Sequence, residues 1–311
     1  MSKRVDRIKN AHRQRSAAFK PLQRPKTPSP PNTISPPLNF NGVLQSDTWF
    51  WIRIEFLPVS PYTHPAVPTL LLSARQSDDT QKLWRACVEK NWRIERVHSW
   101  KVPVLPPVEL AVYGESLFGK HVASTLGFHL LEPAIDWLPN LPAKYCGRAV
   151  RLTTLAAART ITARCFLKPA DEKCFPARVY DHGGQLPAIG LLPEDLPVLV
   201  QDIVEWTVEY RCFILNRQIL TASAYWRQDS LAKDADGFWL SPSEEVAEAQ
   251  RFCESVLLEQ TIEMPSALVV DVGYIKGQGW AVVEANAAWA SGIYGCDPTQ
   301  VLQVLLGCVR V

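Results

Sequence analysis

The spacing of hydrophobic and polar residues changes along the chain near residue 149. Before that point, short apolar runs at 69–72 and 94–97 alternate with segments of helical apolar spacing at about 78–91 and 115–126. Strands that alternate with helices in this way are typical of an α/β layer with a parallel sheet. We therefore expect such a layer, of roughly 80 to 100 residues, in the first half of the chain.

From residue 149 onwards, the pattern predicts antiparallel hairpins. Strands rich in β-branched and aromatic residues are expected at 161–168, 207–215, 218–226, 267–275 and 280–285. Thr153 or Thr154 can cap a short helix that ends at Arg159. The sequence Ser-Pro-Ser-Glu at 241–244 predicts a capping box with proline at the first position of a longer helix. The fold class expected for the whole chain is therefore α/β and α+β.

The N-terminal segment is basic and rich in proline. Residues 1–40 hold nine of the 33 Lys and Arg residues but one of the 31 Asp and Glu residues, and seven prolines fall within 21–37. Such a composition cannot bury a hydrophobic core, so we expect 1–40 to be a disordered tail. The rest of the chain is acidic, which argues against a nucleic-acid-binding protein, although the tail alone could associate with polyanions. A strand is expected at 48–57.

Composition narrows the class of protein further. With 47% hydrophobic and 21% charged residues among 311, the chain is not wholly disordered. It has no apolar stretch of membrane-spanning length and no apolar signal segment at its start, so we expect a cytoplasmic protein without membrane partners. Its eight cysteines are dispersed without a C-x-x-C pair, which favours reduced thiols over zinc or a disulfide framework. The expected domains are the tail at 1–40, an α/β domain at 41–148 and an α+β domain at 149–311.

The strongest chemical signal is a pair of carboxylates on one predicted hairpin. If its loop is 276–279, Asp271 lies directly opposite Glu284, and Asn286 follows on the same face. Like charges in direct opposition destabilise a sheet, so a cation is expected between them. Three oxygen donors without sulfur or imidazole nearby suit Mg²⁺, and hence a metal–nucleotide site. The alternative is a surface hairpin whose acids face solvent, since a slip of one residue would move Asp271 to the other face.

Two cations near predicted strands are further candidates. Lys168 ends an otherwise apolar strand, where a phosphate would account for its charge, although a lone lysine at such a position also simply extends to water. Arg211 shares one face of its strand with Glu209. The simple alternative for Arg211 is therefore an ion pair with Glu209.

The order of these elements resembles the ATP-grasp superfamily over 149–311, and the preceding α/β segment looks like the domain that precedes ATP-grasp modules. The elements are a strand ending in Lys-Pro at 168–169, an apolar strand running into acidic residues at 198–205, a Glu-x-Arg strand, a hairpin, a helix, and then Asp271 with Glu-x-Asn at 284–286. The Lys-Pro and Asp…Glu-x-Asn motifs together carry the resemblance.

The resemblance implies a site for ATP and Mg²⁺. Asp271, Glu284 and Asn286 would bind Mg²⁺, while Arg211 and Lys168 would act in catalysis at the phosphates. The residues it implies for nucleotide binding are Arg151, Lys168 and Lys173 at the phosphates, Gln201, Asp202 and Val204 near adenine, and Glu205 or Glu209 near the ribose. The segment 170–178 contains no glycine where many members carry a glycine-rich phosphate lid. Lys173 and Arg178 could grip phosphate through their side chains instead.

The resemblance also implies an ATP-dependent ligase that joins a carboxylate to an amine or thiol through an acyl phosphate. Its partners would be small-molecule or peptide carboxylates and amines. A phosphotransferase, or a non-catalytic nucleotide-binding or sensing module, are the alternatives that the sequence leaves open. Candidate substrate contacts are Arg75, Asp78, Asp79, 113–115 and the glycine-punctuated segment 291–295.

Overall fold

The computed structural model describes residues 67–103, 105, 109–171 and 173–310, which form four β-sheets. The predicted tail at 1–40 and the strand predicted at 48–57 lie outside the described residues. Among the helices that the structure describes, none is both long and apolar enough to cross a membrane. All eight cysteines lie within the described ranges as free thiols, and seven of them are buried.

The first sheet is parallel, as the alternation of strands and helices predicts. Its strands are β1 (Thr69–Ser73), β2 (Arg93–Val97) and β3 (Leu110–Tyr113), in the order β2-β1-β3. The helices beside them are α1 (Asp78–Glu89) and α2 (Ser116–Leu126), and the short strand β4 (His129–Leu130) follows. A capping box of Ser77 and Thr80 begins α1. Gly127 ends α2 with a φ of 77°, which glycine adopts without steric strain.

The second sheet is antiparallel and has four strands. Its elements are α3 (Ala143–Cys146), β5 (Val150–Thr154), α4 (Leu155–Arg159), β6 (Cys165–Pro169), β7 (Arg178–Tyr180) and β8 (Pro197–Gln201), with the strand order β5-β8-β6-β7. Thr154 caps α4 as predicted, because its side chain accepts a hydrogen bond from the Ala157 amide at 3.2 Å. The prediction that β6 begins at 161 is wrong, because its ladder begins at Cys165. The Ile161 carbonyl instead accepts a hydrogen bond from the Gly183 amide at 2.7 Å.

The third sheet has five antiparallel strands and contains both predicted hairpins. Its strands are β9 (Trp206–Leu215), β10 (Gln218–Arg227), β11 (Ser230–Leu231), β12 (Ala267–Ile275) and β13 (Gly279–Asn286), in the order β11-β10-β9-β12-β13. Asn216 and Arg217 form the predicted turn, with φ values of 50° and 62° that suit a two-residue hairpin loop. The helix α5 (Ser243–Leu258) lacks the predicted capping box. The Ser241 hydroxyl is engaged elsewhere, since it accepts a hydrogen bond from the Ala224 amide at 2.9 Å.

The two faces of the five-stranded sheet have different neighbours. The helix α5 packs on one face, in a core that includes Tyr210 and Val270. The helices α6 (Pro298–Gly307) and α1 cover part of the other face, in a core that joins Leu72 to Phe213. A last strand, β14 (Val309–Arg310), pairs with β4. The described residues all fall in one compact unit, and the domain boundary near 149 stays a prediction. The remaining part of the second face carries the polar side chains of the site.

Candidate functional site

Asp271 and Glu284 lie directly opposite each other on β12 and β13, as the sequence predicts. The register beside the loop, however, differs from the prediction by one residue, because Ile275 pairs with Gly279 rather than with the next residue. A β-bulge next to Asp271 corrects this offset by inserting Val283 as an extra residue on β13. The predicted carboxylate pair therefore exists because of a bulge that the hairpin count did not include.

The Asp271 carboxylate is fully buried and binds the Arg211 guanidinium through two hydrogen bonds. Arg211 Nε donates to Oδ1 at 2.9 Å, and Nη2 donates to Oδ2 at 2.7 Å. The two residues are direct partners in the ladder between β9 and β12, so their side chains share one face. Arg211 therefore pairs with Asp271 rather than with Glu209, the partner expected in the simple alternative. The Glu209 carboxylate accepts a hydrogen bond from the Tyr225 hydroxyl at 2.5 Å.

Glu284 connects the two antiparallel sheets through Lys168. Lys168 Nζ forms an ion pair with Glu284 Oε2, and Asn286 Nδ2 donates to Oε1 at 2.9 Å. Since Lys168 lies near the end of β6, the four-stranded sheet supplies this cation and the five-stranded sheet supplies the carboxylates. The Lys168 and Glu284 side chains are 18% and 30% exposed, so solvent reaches this pair. We call Lys168, Arg211, Asp271, Glu284 and Asn286 the carboxylate cluster.

The two carboxylates of the cluster differ in pKa. Burial raises the pKa of Glu284, but the charge and hydrogen bond of Lys168 outweigh it and lower the value to about 2. Burial raises the pKa of Asp271 to about 6, although the charge and hydrogen bonds of Arg211 oppose this change. Both values lie below neutral pH, so both carboxylates are ionised there. An ionised carboxylate is the form that binds a metal cation.

Two tyrosine rings pack against the Arg211 guanidinium. Its central carbon lies 5.3 Å from the centre of the Tyr225 ring and 4.9 Å from that of Tyr294, and the two rings stack at 5.0 Å. Arg211 Nη1 also donates to the Gly292 carbonyl at 3.0 Å. Tyr294 has a φ of 50°, a left-handed conformation that a tyrosine keeps only where its surroundings enforce it. The loop 291–296 is thus fixed around Arg211.

The helix α1 of the parallel layer holds the same loop from its other end. The Asp79 carboxylate accepts hydrogen bonds from the Ile293 amide at 3.2 Å and from the Tyr113 hydroxyl at 3.3 Å. Lys82 Nζ donates to the Tyr294 carbonyl at 2.6 Å. Burial raises the pKa of Asp79, since this carboxylate is largely withdrawn from water. Three of the candidate substrate contacts from the sequence, namely Asp79, Tyr113 and the loop itself, are therefore brought together.

Gln201 and Asp202, expected near adenine, lie at the end of β8 and bind the segment before β5. Gln201 is buried, and its Oε1 accepts a hydrogen bond from Arg148 Nε at 2.9 Å. The exposed Asp202 carboxylate accepts one from the Ala149 amide at 3.0 Å. These contacts fix the backbone that leads from β8 towards β9.

The other expected nucleotide contacts lie apart from the carboxylate cluster. Val204 is half-buried in the connection from β8 to β9, and Glu205 forms an exposed ion pair with Lys276 at 2.9 Å. Arg151 is exposed on β5, and Lys173 is exposed between β6 and β7. Contacts of these residues with a nucleotide stay predictions.

Arg148 is a residue of the site that the sequence pattern did not identify. Burial lowers the pKa of its guanidinium to about 10. Besides binding Gln201, its Nη1 donates to the Val282 carbonyl at 2.8 Å and its Nη2 to the Val283 carbonyl at 2.9 Å. No local pattern marks Arg148, which stands three residues before Arg151, the basic residue that the resemblance implied at this entry to the module.

The chemistry of the cluster fits Mg²⁺. Within the described ranges, no group of three or more His, Cys, Asp or Glu side chains is placed to hold a metal. The cluster instead offers two carboxylates and an amide, and Mg²⁺ typically combines one or two carboxylates with water and phosphate oxygens. Each Asp271 oxygen accepts one bond from Arg211 and retains a second lone pair. The Asn286 amide would turn over to present its oxygen to a cation.

Comparisons with known proteins agree with this picture of the fold. A family model described as an ATP-grasp domain, the second family of its clade, matches residues 145–304. No curated protein sequence matches the chain.

Similar solved structures include an ATP-grasp RimK domain protein from Sphaerobacter thermophilus, with 13% identity over 77% of this chain and 100% of that one and a TM-score of 0.47. The D-alanine–D-alanine ligase of Bacillus anthracis, complexed with ATP, has 14% identity over 78% and 96% of the two chains and a TM-score of 0.43. A RiPP-associated ATP-grasp ligase of Chryseobacterium gregarium, in complex with ADP and a leader and core peptide, has 10% identity over 78% and 95% and a TM-score of 0.42.

Proposed function

Since the chain belongs to this family of ATP-grasp domains, we propose that it is an ATP-dependent ligase that joins a carboxylate to an amine or thiol through an acyl phosphate. The observation that carries this proposal is the carboxylate cluster, in which two ionised carboxylates, an amide and two cations share one site. Phosphoryl transfer relies mainly on positioning and on neutralising the charge of phosphate oxygens, and this set of groups supplies both.

We assign ATP to the region where the four-stranded and five-stranded sheets approach each other at Lys168. Lys168 would exchange its contact with Glu284 for phosphate oxygens, which lie within reach of a cation at the end of β6. The remaining residues assigned to the nucleotide are Arg151 and Lys173 for the phosphates, Gln201, Asp202 and Val204 for adenine, and Glu205 or Glu209 for the ribose. Gln201 and Asp202 support this assignment, because their contacts hold the connection after β8 in a defined conformation.

Asp271, Glu284 and Asn286 are the residues that would hold Mg²⁺. When bound there with ATP, the ion would withdraw charge from the phosphate oxygens and so ease nucleophilic attack at phosphorus. Glu284 is suited to this role, since its carboxylate stays ionised and partly exposed. Asp271 is held in one orientation by Arg211, which fixes the direction of its free lone pairs.

The proposed reaction has two steps. In the first, an oxygen of the substrate carboxylate attacks the γ-phosphorus of ATP, the bond to the bridging oxygen breaks, and ADP leaves with that electron pair. In the second, the amine or thiol attacks the acyl carbon, inorganic phosphate leaves, and the nucleophile gives up its proton to water. Lys168 would neutralise charge on the phosphates of ATP, and Arg211 would do so near the transferred phosphate.

We assign the carboxylate and amine substrates, small molecules or peptides, to the side of Arg211 where loop 291–296 and α1 lie. The half-buried Asp79 carboxylate and the Tyr113 hydroxyl stand there, and both already contact polar groups. The α/β layer would thus lie on the substrate side. Since ATP and free thiols belong together in the cytoplasm, we place the protein in that compartment.

The test is a search for a condensed product. The protein is incubated with ATP, Mg²⁺ and the small-molecule and peptide fraction of a cell extract, while ADP is measured and products are identified by mass spectrometry. A ligase gives ADP together with a product whose mass equals two extract components minus one water. A phosphorylated product formed without an amine indicates a phosphotransferase, and ATP binding without any ADP indicates a non-catalytic module. Either of these results contradicts the proposal.

A further inference from the structure

We propose that Arg148 is a positioning residue for Glu284, which it acts on by holding the β-bulge at Val283. The inference rests on the proposed function in one respect, namely that Glu284 is a metal ligand. Arg148 itself need not touch ATP, metal or substrate in this role.

The bulge decides which face of the sheet Glu284 occupies. Side chains alternate along a strand, so residues two apart normally share a face. Val282 pairs with Val272 and is buried in the core beneath α5. In a regular strand Glu284 would follow Val282 into that core, where an ionised carboxylate is strongly disfavoured. The extra residue, Val283, shifts the alternation, so that Glu284 meets Asp271 on the opposite face.

Arg148 binds the backbone at this bulge. A bulge interrupts the ladder between strands and leaves backbone polar groups that need other partners. The two consecutive carbonyls of Val282 and Val283 both accept hydrogen bonds from Arg148, at 2.8 and 2.9 Å. A single planar guanidinium therefore spans the carbonyls that a regular β13 would direct to different neighbours.

Arg148 can hold the bulge firmly because its own position is fixed from three further sides. Its Nη1 donates to the Cys146 carbonyl at 2.9 Å, and its Nε donates to Gln201 Oε1 at 2.9 Å. Its guanidinium carbon lies 5.0 Å from the centre of the Trp206 ring. With four hydrogen bonds and one stacked face, the side chain has little freedom to turn towards another ligand. It also links the end of β8, where we place the nucleotide, to the strand that bears Glu284.

The test compares two arginines that hold backbone carbonyls. Arg148→Met removes the donors and keeps most of the side-chain length. Arg217→Met is the matched control, because Arg217 likewise binds three backbone carbonyls but lies at the turn between β9 and β10. We expect both variants to lose thermal stability. Only Arg148→Met should weaken Mn²⁺ binding in the presence of ATP, by roughly tenfold in a titration followed by electron paramagnetic resonance.

Amide hydrogen exchange gives a readout that needs neither metal nor turnover. Without its partner at the bulge, the segment 282–286 should exchange roughly tenfold faster in Arg148→Met, while it keeps its wild-type rate in Arg217→Met. Arg148→Lys retains the charge but cannot span the same carbonyls and Gln201 with one nitrogen. This variant should lose about threefold or more in Mn²⁺ affinity, and it decides the question if Arg148→Met does not fold.

Wild-type Mn²⁺ affinity in a folded Arg148 variant, or an equal loss of affinity in Arg217→Met, would overturn the inference. The proposed function fails separately, if the wild-type protein binds no Mn²⁺ together with ATP. Hydrogen exchange then decides the role of Arg148 by itself, and unchanged exchange over 282–286 in the Arg148 variants would overturn it.

Discussion

The buried pair of Arg211 and Asp271 should couple the stability of the sheet to the integrity of the site. Both residues are almost free of solvent contact, and two hydrogen bonds at 2.9 and 2.7 Å join them. At an effective dielectric constant of about 20, two unit charges roughly 4 Å apart attract each other by about 4 kcal/mol. Most of this attraction offsets the cost of removing both charges from water, so the net value of the pair is small.

Breaking only one side of the pair has a larger effect. Arg211→Met leaves Asp271 as an unpaired buried carboxylate, and Asp271→Asn leaves Arg211 as an unpaired buried cation. We expect each single variant to lose about 3–5 kcal/mol of unfolding free energy. The double variant should lose about as much as one single variant, far less than the sum, because it leaves no uncompensated charge.

Urea denaturation of the wild type, both single variants and the double variant measures this cycle directly. The exposed pair of Glu205 and Lys276 in the same sheet is the control, since its side chains are 57% and 64% exposed. Its own cycle should show a coupling below about 1 kcal/mol. Additive losses at Arg211 and Asp271, or single losses no larger than those at Glu205, would refute the reasoning that this pair is buried and mutually dependent.

Three further predictions concern separate parts of the chain. Lys168→Met should lower the affinity for ATP by roughly tenfold and leave that for adenosine nearly unchanged, because only the phosphates lose a cation; equal losses in equilibrium binding would indicate a structural lysine. Deleting 1–40 should leave ATP turnover and melting temperature near the full-length values, and a large drop in either would show that the tail contacts the rest of the chain. The Glu245 pKa lies below its ordinary 4.5, since burial raises it but the hydrogen bonds of Arg227 and Tyr210 lower it more. Glu245→Gln should therefore cost about 1 kcal/mol of unfolding free energy at pH 7, and this difference from the wild type should vanish as the pH falls from 4.5 through the lower pKa of the folded state; a difference that persists in acid would contradict the assignment.

The local pattern of the sequence predicts most strands and helices because their signals are local. The alternation of β12 gives its bounds at Ala267–Ile275, and Gly127 and Thr154 mark helix ends where predicted. Ser241 shows the limit of such signals, because its hydroxyl binds the Ala224 amide of β10 rather than the first turn of α5. A capping pattern competes with partners that are distant in sequence, and the pattern itself does not contain them.

The candidate site shows the same division between local and distant information. The opposition of Asp271 and Glu284 follows from counting along a hairpin, but the structure reaches it through a shorter register and a bulge. The bulge is bound by Arg148, which is 135 residues away from Val283 along the chain. The partner of Arg211 was likewise out of reach, since Asp271 joins it only through the ladder between β9 and β12.

The central claim is that Mg²⁺ and ATP bind together at the carboxylate cluster, and calorimetric titration of ATP with and without Mg²⁺ tests it most directly. Glu284→Gln keeps the shape of the side chain and removes its charge, and Glu205→Gln is the control at an exposed carboxylate. We predict that Mg²⁺ tightens ATP binding in the wild type and in Glu205→Gln, and that Glu284→Gln loses roughly tenfold or more of this gain while metal-free ATP binding stays within about threefold. Unchanged Mg²⁺-dependent affinity in a folded Glu284→Gln protein would contradict the claim.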